Sequence, residues 1–510
     1  MRVMTSRLLF FLLLKALFVI GIILYAGIGL GPDEAQYWTW SQALDWGYYS
    51  KPPGIAWQIW LGTHLFGQTE WGVRSVTVIL SILQALSVYH LALYTGLFAR
   101  TAFWCGLFMA FCPLGMLGSF FAITDVGFLL CWTGACLSVV AALHQERDPN
   151  PLSIGMWIMA GALFKWPIYL FWIFVLVCRP FLYPKLKLTS LLTGIFISLI
   201  GLLPSIWWNW SHDWVTFRHV FATLQGGSGH RAGGNVGEFL ASQAILLSPI
   251  LFVLLLSALW QWFRRRKELT PALYFCGFVS FASLSIAIVV SCFQKIQGNW
   301  ITLAYPSALI ILGWDTFQQH PTRAWWAKIG VALSLLLILL FAFLPSFYLV
   351  PNLAPYAAGY RLHSFKHNIG WNALTEVLIK GGYNPKKDFL FSDKYQTVSI
   401  LSFYGPGQKL AYFLNLQGSR NNQFSYWPTL QQERRGQVGY FVWVENAPRL
   451  EKNWEAKAEY YQEELQKYFT KVELVKFAPL IYEGDDIVKA ALIFRCQCCT
   501  DLRPTESTLY

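Results

Sequence analysis

The sequence predicts a polytopic α-helical membrane protein with an α/β domain at its C-terminal end. Of the 510 residues, 55% are hydrophobic and only 13% are charged, whereas soluble domains carry about 25% charged residues. Apolar runs recur up to residue 350, and alternating strand and helix patterns follow it. The 25 Trp residues are typical of side chains that anchor helices at the membrane–water boundary.

The apolar runs predict about eleven transmembrane helices. The first run is long enough to cross about 30 Å of hydrocarbon and lacks a convincing cleavage site, so we interpret it as an uncleaved helix. Two neighbouring runs that meet at Lys165-Trp166-Pro167 are each too short to cross alone, and they form either two short helices or one kinked span. The runs are 8–30, 75–98, 102–121, 126–143, 152–164, 167–178, 188–207, 239–263, 271–293, 300–314 and 329–350.

Loop charges favour the arrangement with two short helices. With a cytoplasmic N-terminus, it places Arg264–Lys267 and most other basic loop residues in the cytoplasm, as the positive-inside rule requires. The net charge of +12 then reflects topology and contact with anionic membrane lipids, not a nucleic-acid surface. We therefore predict a transmembrane domain over 1–350, with interfacial helices in its first outer loop (31–74), and a periplasmic α/β domain over 351–510.

The C-terminal segment has the pattern of an α/β sandwich. The predicted strands are 389–392, 410–414, 438–444, 472–477 and 490–495, and the predicted helices are 370–380, 395–404 and 453–469. Cys496, Cys498 and Cys499 cluster near its end. One disulfide or none can form within this trio, and a metal site there would lack a fourth ligand.

The first outer loop contains the leading candidates for a chemical site. Asp33 and Glu34 directly follow the first apolar run and precede a dense series of Trp and Tyr residues, then Lys51. Helix capping explains an acidic pair after Pro32, because carboxylates stabilise a helix N-terminus. Charges at a membrane boundary carry a desolvation cost, however, and the lysine in the same loop favours a functional interpretation. A partly desolvated carboxylate is a competent general base.

Asp125 and Lys165 are the next candidates. Asp125 opens an apolar run after a very short outer loop, where N-capping is an equally good explanation. Lys165 lies within apolar sequence, where a charge costs roughly 2.5–3.5 kcal/mol on insertion scales and a lipid phosphate would offset that cost. The alternative is snorkelling to the interface. Lys51 is a second candidate for binding phosphate.

Other polar residues of the outer segments are weaker candidates for substrate binding. The glycine-rich stretch 226–234 is either a lid ordered by substrate or a plain solvated loop. Histidines of this loop lack the spacing of a metal motif, and the sequence has no Walker A or dinucleotide fingerprint. The weaker candidates are Tyr49, Asn209, His230, Arg231, Lys295, Asn299 and Arg420.

Six stretches, taken in order, resemble the bacterial branch of glycosyltransferase family 39. This part of the GT-C superfamily includes protein O-mannosyltransferases, lipid A aminoarabinose transferases and rhizobial lipopolysaccharide galacturonosyltransferases. The resemblance implies a GT-C fold, a polyprenyl-phosphate-linked sugar as donor, and transfer at the outer membrane face. The stretches are PDEAQYWTWSQALDWGYYSKPPGIAW, ITDVGFLLCW, GALFKWP, PSIWWNW, KIQGNWITLAYP and GSRNNQFSYWP.

The resemblance also implies roles for single residues. The acidic motif of the family's first outer loop matches Asp33 and Glu34. Its acidic residue before the fourth helix matches Asp125, and its lysine after the fifth helix matches Lys165. Aminoarabinose transferases carry a Glu, implicated in metal binding, immediately before Lys-Pro-Pro. Ser50 occupies that position here, so we assign no metal ligand and no cofactor; a divalent metal stays open as an alternative that this motif does not support.

Together, these observations predict a glycosyltransferase of the bacterial inner membrane that moves a hexose or pentose. Asp33, Glu34 and Asp125 are the predicted catalytic residues, and Lys51 and Lys165 hold the departing lipid phosphate. The acceptor is lipid A or lipopolysaccharide core, another glycan, or a protein. The alternatives are a transporter or flippase of a lipid-linked sugar, which favours inverted repeats and midplane charges, and a non-catalytic scaffold.

Overall fold

Helices make up the first two thirds of the chain, and a small mixed sheet follows them. The structure is a computed structural model and describes residues 2–224, 234–343, 365–446, 454–483 and 485–500. The predicted domain boundary at residue 350 lies outside these ranges, as do His230 and Arg231.

Seventeen α-helices make up the helical part of the described chain. Short 3-10 segments, Trp166–Leu170 and Gly298–Ala304, directly precede the ninth and the sixteenth helix. The helices are α1 (Arg2–Tyr25), α2 (Pro32–Gln42), α3 (Gly54–Phe66), α4 (Glu70–Tyr94), α5 (Ala99–Phe111), α6 (Pro113–Phe120), α7 (Thr124–His144), α8 (Pro151–Ala162), α9 (Phe171–Leu182), α10 (Leu188–Ile200), α11 (Leu203–Trp210), α12 (Val215–Leu224), α13 (Val236–Leu247), α14 (Pro249–Arg265), α15 (Pro271–Phe293), α16 (Tyr305–Trp314) and α17 (Ala324–Phe343).

Within the described residues, five helical segments are long and apolar enough to cross a membrane: α1, α4, α7, α15 and the segment that contains α17. Three further pairs of helices are long and apolar enough only when the two helices of a pair are taken as one segment, and each pair is bent at its break. The pairs are α5–α6, α10–α11 and α13–α14, with bends of 55°, 49° and 105°. Pro113 and Pro249 begin the second helix of two of these pairs, and each proline lacks the N–H that would continue the preceding helix. Length and composition thus support up to eight crossings. The prediction of eleven exceeds this number because three of the apolar runs form the short helices α8, α9 and α16.

Five strands form a mixed sheet with the order β2-β1-β3-β5-β4. β1 pairs in parallel with β2 and β3, whereas β5 runs antiparallel to β3 and β4. The predicted strands and the three longer helices are confirmed within a few residues at most positions; β4 and β5 are longer than predicted because they form one extended hairpin. The strands are β1 (Phe389–Ser392), β2 (Tyr412–Phe413), β3 (Gly439–Asn446), β4 (Phe469–Glu483) and β5 (Asp486–Cys499), and the helices are α18 (Asn372–Lys380), α19 (Tyr395–Tyr404), α20 (Leu430–Glu433) and α21 (Trp454–Gln466).

The sheet carries helices on both faces, and one of its helical layers packs against the first outer loop. α18 and α19 cover one face and α21 covers the other. The core under α19 continues into α2, where the rings of Trp38 and Phe403 lie 5.0 Å apart and perpendicular. Trp38 and Trp40, which we expected at the membrane–water boundary, are therefore buried beneath the sheet domain. This packing places the C-terminal segment directly over the acidic pair of α2.

Candidate active site

The two acidic residues of the first outer loop point in different directions. Pro32 begins α2 with the φ angle that a first helical position needs, and Asp33 and Glu34 complete the first turn. Consecutive helical side chains do not face each other. Glu34 is 2% exposed, whereas Asp33 keeps a solvent-exposed side chain among charged neighbours. Only Asp33 is therefore open to a substrate from solvent.

Glu34 is fully engaged with Arg74 of α4. Arg74 donates from Nη2 to Oε2 at 2.7 Å and from Nε to Oε1 at 2.8 Å. The backbone N–H groups of Gly31 and Ala122 also donate to this carboxylate, at 3.1 and 3.0 Å. A carboxylate offers about four acceptor positions, and all are used here. The geometry therefore argues against the catalytic role that we predicted for Glu34 and favours a scaffolding role.

Arg74 extends this clamp to the end of α1. Its Nη1 and Nη2 donate to the carbonyls of Ile28 and Gly29 at 3.0 and 2.8 Å, and it has no exposed surface. Its guanidinium also lies over the ring of Phe120, 4.4 Å from the centroid. The Glu34–Arg74 ion pair thus joins α2 and α4 to the chain after α1 and to the chain before α7. Because Asp33 belongs to the same turn of α2 as Glu34, the pair also fixes the position of Asp33.

Lys51 is brought beside Lys165 by a close backbone contact. The N–H of Gly54 donates to the carbonyl of Leu163 at 2.7 Å, so the chain after Lys51-Pro52-Pro53 packs on the break between α8 and the next segment. A Cβ at Gly54 would lie 2.6 Å from that carbonyl oxygen, so only glycine fits. Lys165 follows two residues after Leu163, with an extended backbone.

Asp125 and Lys165 form an ion pair. Lys165 donates from Nζ to Oδ1 of Asp125 at 2.8 Å, with side-chain exposures of 19% and 11%. Asp125 lies in the first turn of α7, where the helix dipole also stabilises a carboxylate. The charge of Asp125 also acts on Tyr37 and Lys51. The pair fixes the Lys165 side chain at a partly buried position.

The electrostatics of Asp33 and Lys51 show that these charges lie close together. Burial lowers the pKa of Lys51, the Lys165 ammonium lowers it further, and Asp125 and Asp33 oppose this change. Although the Asp33 side chain reaches solvent, the protein packed around it partly desolvates the carboxyl and raises its pKa, and the charges of Lys51 and Arg420 act in the opposite direction. Asp33, Lys51, Asp125 and Lys165 therefore form one group, which we call the charged cluster.

Arg420 reaches the charged cluster from the sheet domain. Its Nη1 lies 3.3 Å from Nδ1 of His219 in α12, and its guanidinium lies 5.8 Å from the ring of Tyr395 in α19. Burial lowers the pKa of His219 to about 4, and the charges of Arg420 and Lys51 lower it as well. His219 is therefore neutral at neutral pH, and its ring accepts a hydrogen bond from Arg420.

Tyr49 supports the cluster through its backbone and its buried ring. Its N–H donates to Oε1 of Gln423 at 2.7 Å, which ties the first outer loop to the loop that carries Arg420. Its ring is 2% exposed and lies 4.9 Å from that of His219. The hydroxyl of Thr216 donates to the carbonyl of Tyr48 at 3.0 Å and fastens α12 to the same loop. Such burial favours a supporting role for Tyr49 over the predicted contact with substrate.

Three weaker candidates have other contacts in the structure. Asn209 is 1% exposed; its amide donates to the carbonyl of Ser205 at 2.8 Å and its Oδ1 accepts from the N–H of Thr216 at 2.9 Å. Lys295 pairs with Glu238 at 3.6 Å on the surface. Asn299 is exposed in the 3-10 segment before α16. These placements give no support to the predicted substrate contacts.

Sequence reasoning missed Arg74, Tyr395 and His219 as members or supports of this site. Arg74 had a usable signal, because an arginine near the end of an apolar helix needs an anionic neighbour. Tyr395 and His219 had none, because their contact with Arg420 joins segments that are 25 and 201 residues apart in the chain.

The charged cluster does not fit a metal ion. Zinc needs three or four protein ligands, and the described residues contain no group of three or more His, Cys, Asp or Glu side chains that could hold one. The charges near Asp33 include Lys51 and Arg420, which repel a metal cation.

Comparisons with known proteins find similar sequences and a similar fold. Residues 50–208 match a family described as dolichyl-phosphate-mannose-protein mannosyltransferase. This matched range contains Lys51, Asp125 and Lys165. These residues are therefore similar to this glycosyltransferase family, in agreement with the resemblance carried by the six stretches.

Two curated relatives are similar to parts of the chain. The lipid A galacturonosyltransferase RgtD of Rhizobium johnstonii is 29% identical over 300 residues, which cover 57% of this chain and 61% of that protein. The undecaprenyl phosphate-alpha-4-amino-4-deoxy-L-arabinose arabinosyl transferase of Pseudomonas aeruginosa is 31% identical over 197 residues, which cover 35% of each. The chain thus spans about three fifths of the first relative's length and about a third of the second's.

A solved structure shares the fold over nearly the whole chain. The crystal structure of ArnT from Cupriavidus metallidurans, bound to undecaprenyl phosphate, superposes with a TM-score of 0.62 over 95% of this chain and 97% of that chain. The sequence identity is 15%. The predicted architecture, a bundle of apolar helices followed by a C-terminal sheet domain, is confirmed as the fold that this chain shares with ArnT.

Proposed function

We propose that this protein is a membrane glycosyltransferase that moves a sugar from a polyprenyl-phosphate donor to an envelope acceptor. The observation that carries the proposal is the charged cluster: an exposed carboxylate, Asp33, stands beside Lys51 and the Asp125–Lys165 pair. This arrangement offers a base for an acceptor and cations for a leaving phosphate. The similarity to a lipid A galacturonosyltransferase, to an undecaprenyl phosphate-alpha-4-amino-4-deoxy-L-arabinose arabinosyl transferase and to the ArnT structure with bound undecaprenyl phosphate supports the same chemistry.

Asp33 is the general base in this proposal. It is the acidic residue of the cluster whose side chain is solvent-exposed, whereas Asp125 is held by Lys165. Burial raises its pKa, which makes the carboxylate a stronger base than a fully solvated one. It accepts the proton of an acceptor hydroxyl as that oxygen attacks the anomeric carbon.

Lys51, Lys165 and Arg420 bind the phosphate of the donor and stabilise it as it departs. Charge develops on the bridging oxygen as the sugar–phosphate bond breaks, and fixed cations in a partly desolvated site stabilise that charge strongly. Asp125 orients Lys165 through the ion pair at 2.8 Å and does not act on the acceptor. This assignment revises our expectation that Asp125 acts as a catalytic acid or base.

The reaction balances without a nucleotide or a redox partner. A bond forms between the acceptor oxygen and the anomeric carbon, and the bond between that carbon and the phosphate oxygen breaks. The proton of the acceptor passes to Asp33, and the electron pair of the broken bond remains on the polyprenyl phosphate. The substrates already supply the activation, since a phosphate ester is the leaving group.

The proposal includes a location in the bacterial inner membrane with the sheet domain in the periplasm. The basic loops at Arg264–Lys267 face the cytoplasm under the positive-inside rule. Lys471 is an exposed residue of β4, with 59% of its side chain accessible. A Cys at this position, in a Cys292→Ser background, should react with a membrane-impermeant maleimide in spheroplasts. Labelling only after the membrane is opened would refute this orientation.

Mass spectrometry of envelope lipids and glycans tests the function. Cells with the protein should contain an acceptor that is heavier by one sugar residue than in cells without it, and Asp33→Asn should abolish that difference. The acceptor that gains mass identifies itself as lipid A, lipopolysaccharide core, another glycan or a protein. A flippase or scaffold would instead tolerate Asp33→Asn with little change, since neither needs a base.

A further inference from the structure

We propose that Asp393 is a positioning residue that holds Arg420 and Tyr395 at the donor site. Asp393 lies in the sheet domain at the end of β1, and we assign it no contact with substrate. The inference rests on the proposed function, because it concerns how the site receives its third cation. Its basis is a hydrogen-bonded hub that joins both chain segments flanking the charged cluster.

The hub is a triangle of three side chains, of which Asp393 and Tyr461 are buried and Gln417 lies at the exposed edge. Asp393 is 1% exposed, and its Oδ2 accepts hydrogen bonds from Nε2 of Gln417 and from the hydroxyl of Tyr461, both at 2.7 Å. Nε2 of Gln417 also lies 2.7 Å from the Tyr461 hydroxyl. Tyr461 belongs to α21 and has no exposed surface, so the triangle is anchored in the sheet core.

Gln417 connects the hub to Arg420 through a rigid turn. The side chain of Asn415 closes this turn by donating to the carbonyl of Ser419 at 2.8 Å and accepting from its N–H at 2.9 Å. Gly418 supplies a left-handed φ of +60° within it. A turn closed in this way moves as a unit, so a hydrogen bond to Gln417 restrains Arg420 three residues later.

Tyr395 connects the hub to the opposite side of Arg420. It follows Asp393 by two residues at the start of α19, and its ring stands 5.8 Å from the Arg420 guanidinium. Asp393 therefore restrains both members of this contact. Arg420 is exposed, and its described contacts are with His219 and Tyr395. Without the hub, ordering this long side chain on a ligand would cost more conformational entropy and so weaken binding.

The chemistry of Asp393 suggests a conservative variant. Its Oδ2 accepts both hydrogen bonds, whereas Oδ1 is buried without a hydrogen-bond partner among the described residues. Burial raises the pKa of this carboxyl, which fits a group whose negative charge is not needed. Asparagine can place its carbonyl oxygen at Oδ2 and keep both bonds, whereas leucine keeps the volume and loses both.

A double-mutant cycle tests the link between Asp393 and Arg420. We expect Arg420→Gln to lower kcat/KM for the polyprenyl-phosphate sugar by about 10- to 100-fold, the effect of losing a hydrogen bond to a charged group. Asp393→Leu should lower it by roughly tenfold, and the double variant should be no slower than Arg420→Gln alone. Asp393→Asn should recover most of the activity. Additive losses in the double variant would overturn the proposal.

Two further variants separate positioning from general instability. Val472→Ala removes buried volume from the same sheet core without touching the hub, so it should lower the Tm and leave kcat/KM nearly unchanged. An equal loss of kcat/KM in this variant would overturn the proposal. If Asp393→Leu does not fold, Gln417→Met breaks the same link from the other side and must show the same non-additivity with Arg420→Gln.

The failure of this inference is distinguishable from the failure of the proposed function. A wild-type protein that transfers no sugar and does not bind a sugar-free polyprenyl phosphate would contradict the function itself. A wild-type protein that transfers sugar, with additive losses for the Asp393 and Arg420 variants, would contradict only the positioning role.

Discussion

Arg74 holds the carboxylate of Glu34 through two parallel hydrogen bonds, at 2.7 and 2.8 Å, and neither side chain is more than 2% exposed. A bidentate, fully buried pair of this kind is a geometric constraint as well as an attraction. It sets the position of α2 relative to α4, and Asp33 directly precedes Glu34 in α2. The two acidic residues of the first outer loop thus differ in their surroundings: Glu34 fixes the helix, and Asp33 is open to solvent.

Breaking this pair should destabilise the protein more than it alters the chemistry. Arg74→Met leaves the Glu34 carboxylate buried without its cation, and such a change costs about 3–5 kcal/mol. The double variant Glu34→Gln/Arg74→Met should be less destabilised than Arg74→Met, because it leaves no uncompensated charge. Thermal unfolding in detergent measures both.

The matched control for this prediction is an exposed ion pair. Glu376 and Lys380 pair on the surface of α18 with side-chain exposures of 69% and 64%. Glu376→Gln should leave the Tm nearly unchanged, because exposed pairs contribute at most about 1 kcal/mol. Equal effects of Glu376→Gln and Arg74→Met would show that Arg74 and Glu34 do not form the clamp.

Asp33→Asn should abolish transfer and leave the fold intact. General-base catalysis contributes typically 10²–10⁴-fold, so we expect kcat to fall by about this factor. The side chain is exposed, so the Tm should stay near that of the wild type. Asp148→Asn, at an exposed aspartate in the loop between α7 and α8, is the control and should retain full kcat. Retention of kcat by Asp33→Asn would remove Asp33 from the mechanism.

The plot of kcat/KM against pH should be bell-shaped, and its two limbs should lie closer together than the pKa values of unperturbed Asp and Lys side chains would place them. Desolvation by the surrounding protein raises the pKa of Asp33 above 3.8. The positive charges of Lys51 and Arg420 lower this pKa, and the negative charge of Glu34 raises it. Because the base must be ionised, activity falls as the pH decreases through this raised pKa. Burial lowers the pKa of Lys51 below 10.5, and the positive charges of Lys165 and Arg420 lower it as well. The negative charges of Asp125 and Asp33 raise this pKa and so offset part of the change. Because a cation is needed at the phosphate, activity falls as the pH rises through this lowered pKa.

Lys51→Arg identifies the group responsible for the alkaline limb. A guanidinium stays charged throughout the accessible pH range, so the limb should move to higher pH even if kcat drops. The acidic limb, which belongs to Asp33, should stay where it is. An alkaline limb that is unchanged in Lys51→Arg would assign that titration to another group.

Lys165→Gln should weaken donor binding and slow its departure. The substitution removes a charged donor at 2.8 Å from Asp125 and leaves that carboxylate unpaired next to a phosphate. Loss of a hydrogen bond to a charged group corresponds to roughly 10- to 100-fold in kcat/KM, measured under single-turnover conditions. Lys185→Gln changes an exposed loop lysine between α9 and α10 and should have no effect. Equal kcat/KM for Lys165→Gln and wild type would leave Lys165 without a role at the phosphate.

Much of the fold was predictable because its signals are local. The alternation of strand and helix patterns located β1 and α19 to the residue, and every apolar run contains helix among the described residues. The number of crossings was less predictable, because a proline such as Pro249 shows where a helix breaks but not the 105° bend that follows. Bend angles depend on neighbouring helices that the local sequence does not specify.

The charged cluster was only partly predictable for the same reason. Asp33, Asp125 and Lys165 stand out because a charge in or beside apolar sequence carries a cost that needs an explanation. The scaffolding role of Glu34 could not be predicted, because its partner Arg74 lies 40 residues away in the chain and the same acidic pair also fits helix capping. Asp393 gave no signal, because an aspartate after a strand is common and its hydrogen-bonded neighbours are 24 and 68 residues distant.

An experimental structure of the protein with a bound polyprenyl phosphate measures the site directly. We predict that the phosphate oxygens lie about 2.7–2.9 Å from the Lys51 and Lys165 ammonium groups, which is the usual length of charge-assisted hydrogen bonds. We also predict that Asp33 faces the side of the phosphate where a sugar would be attached. A phosphate bound elsewhere, with Lys51 and Lys165 making no contact to it, would contradict the account.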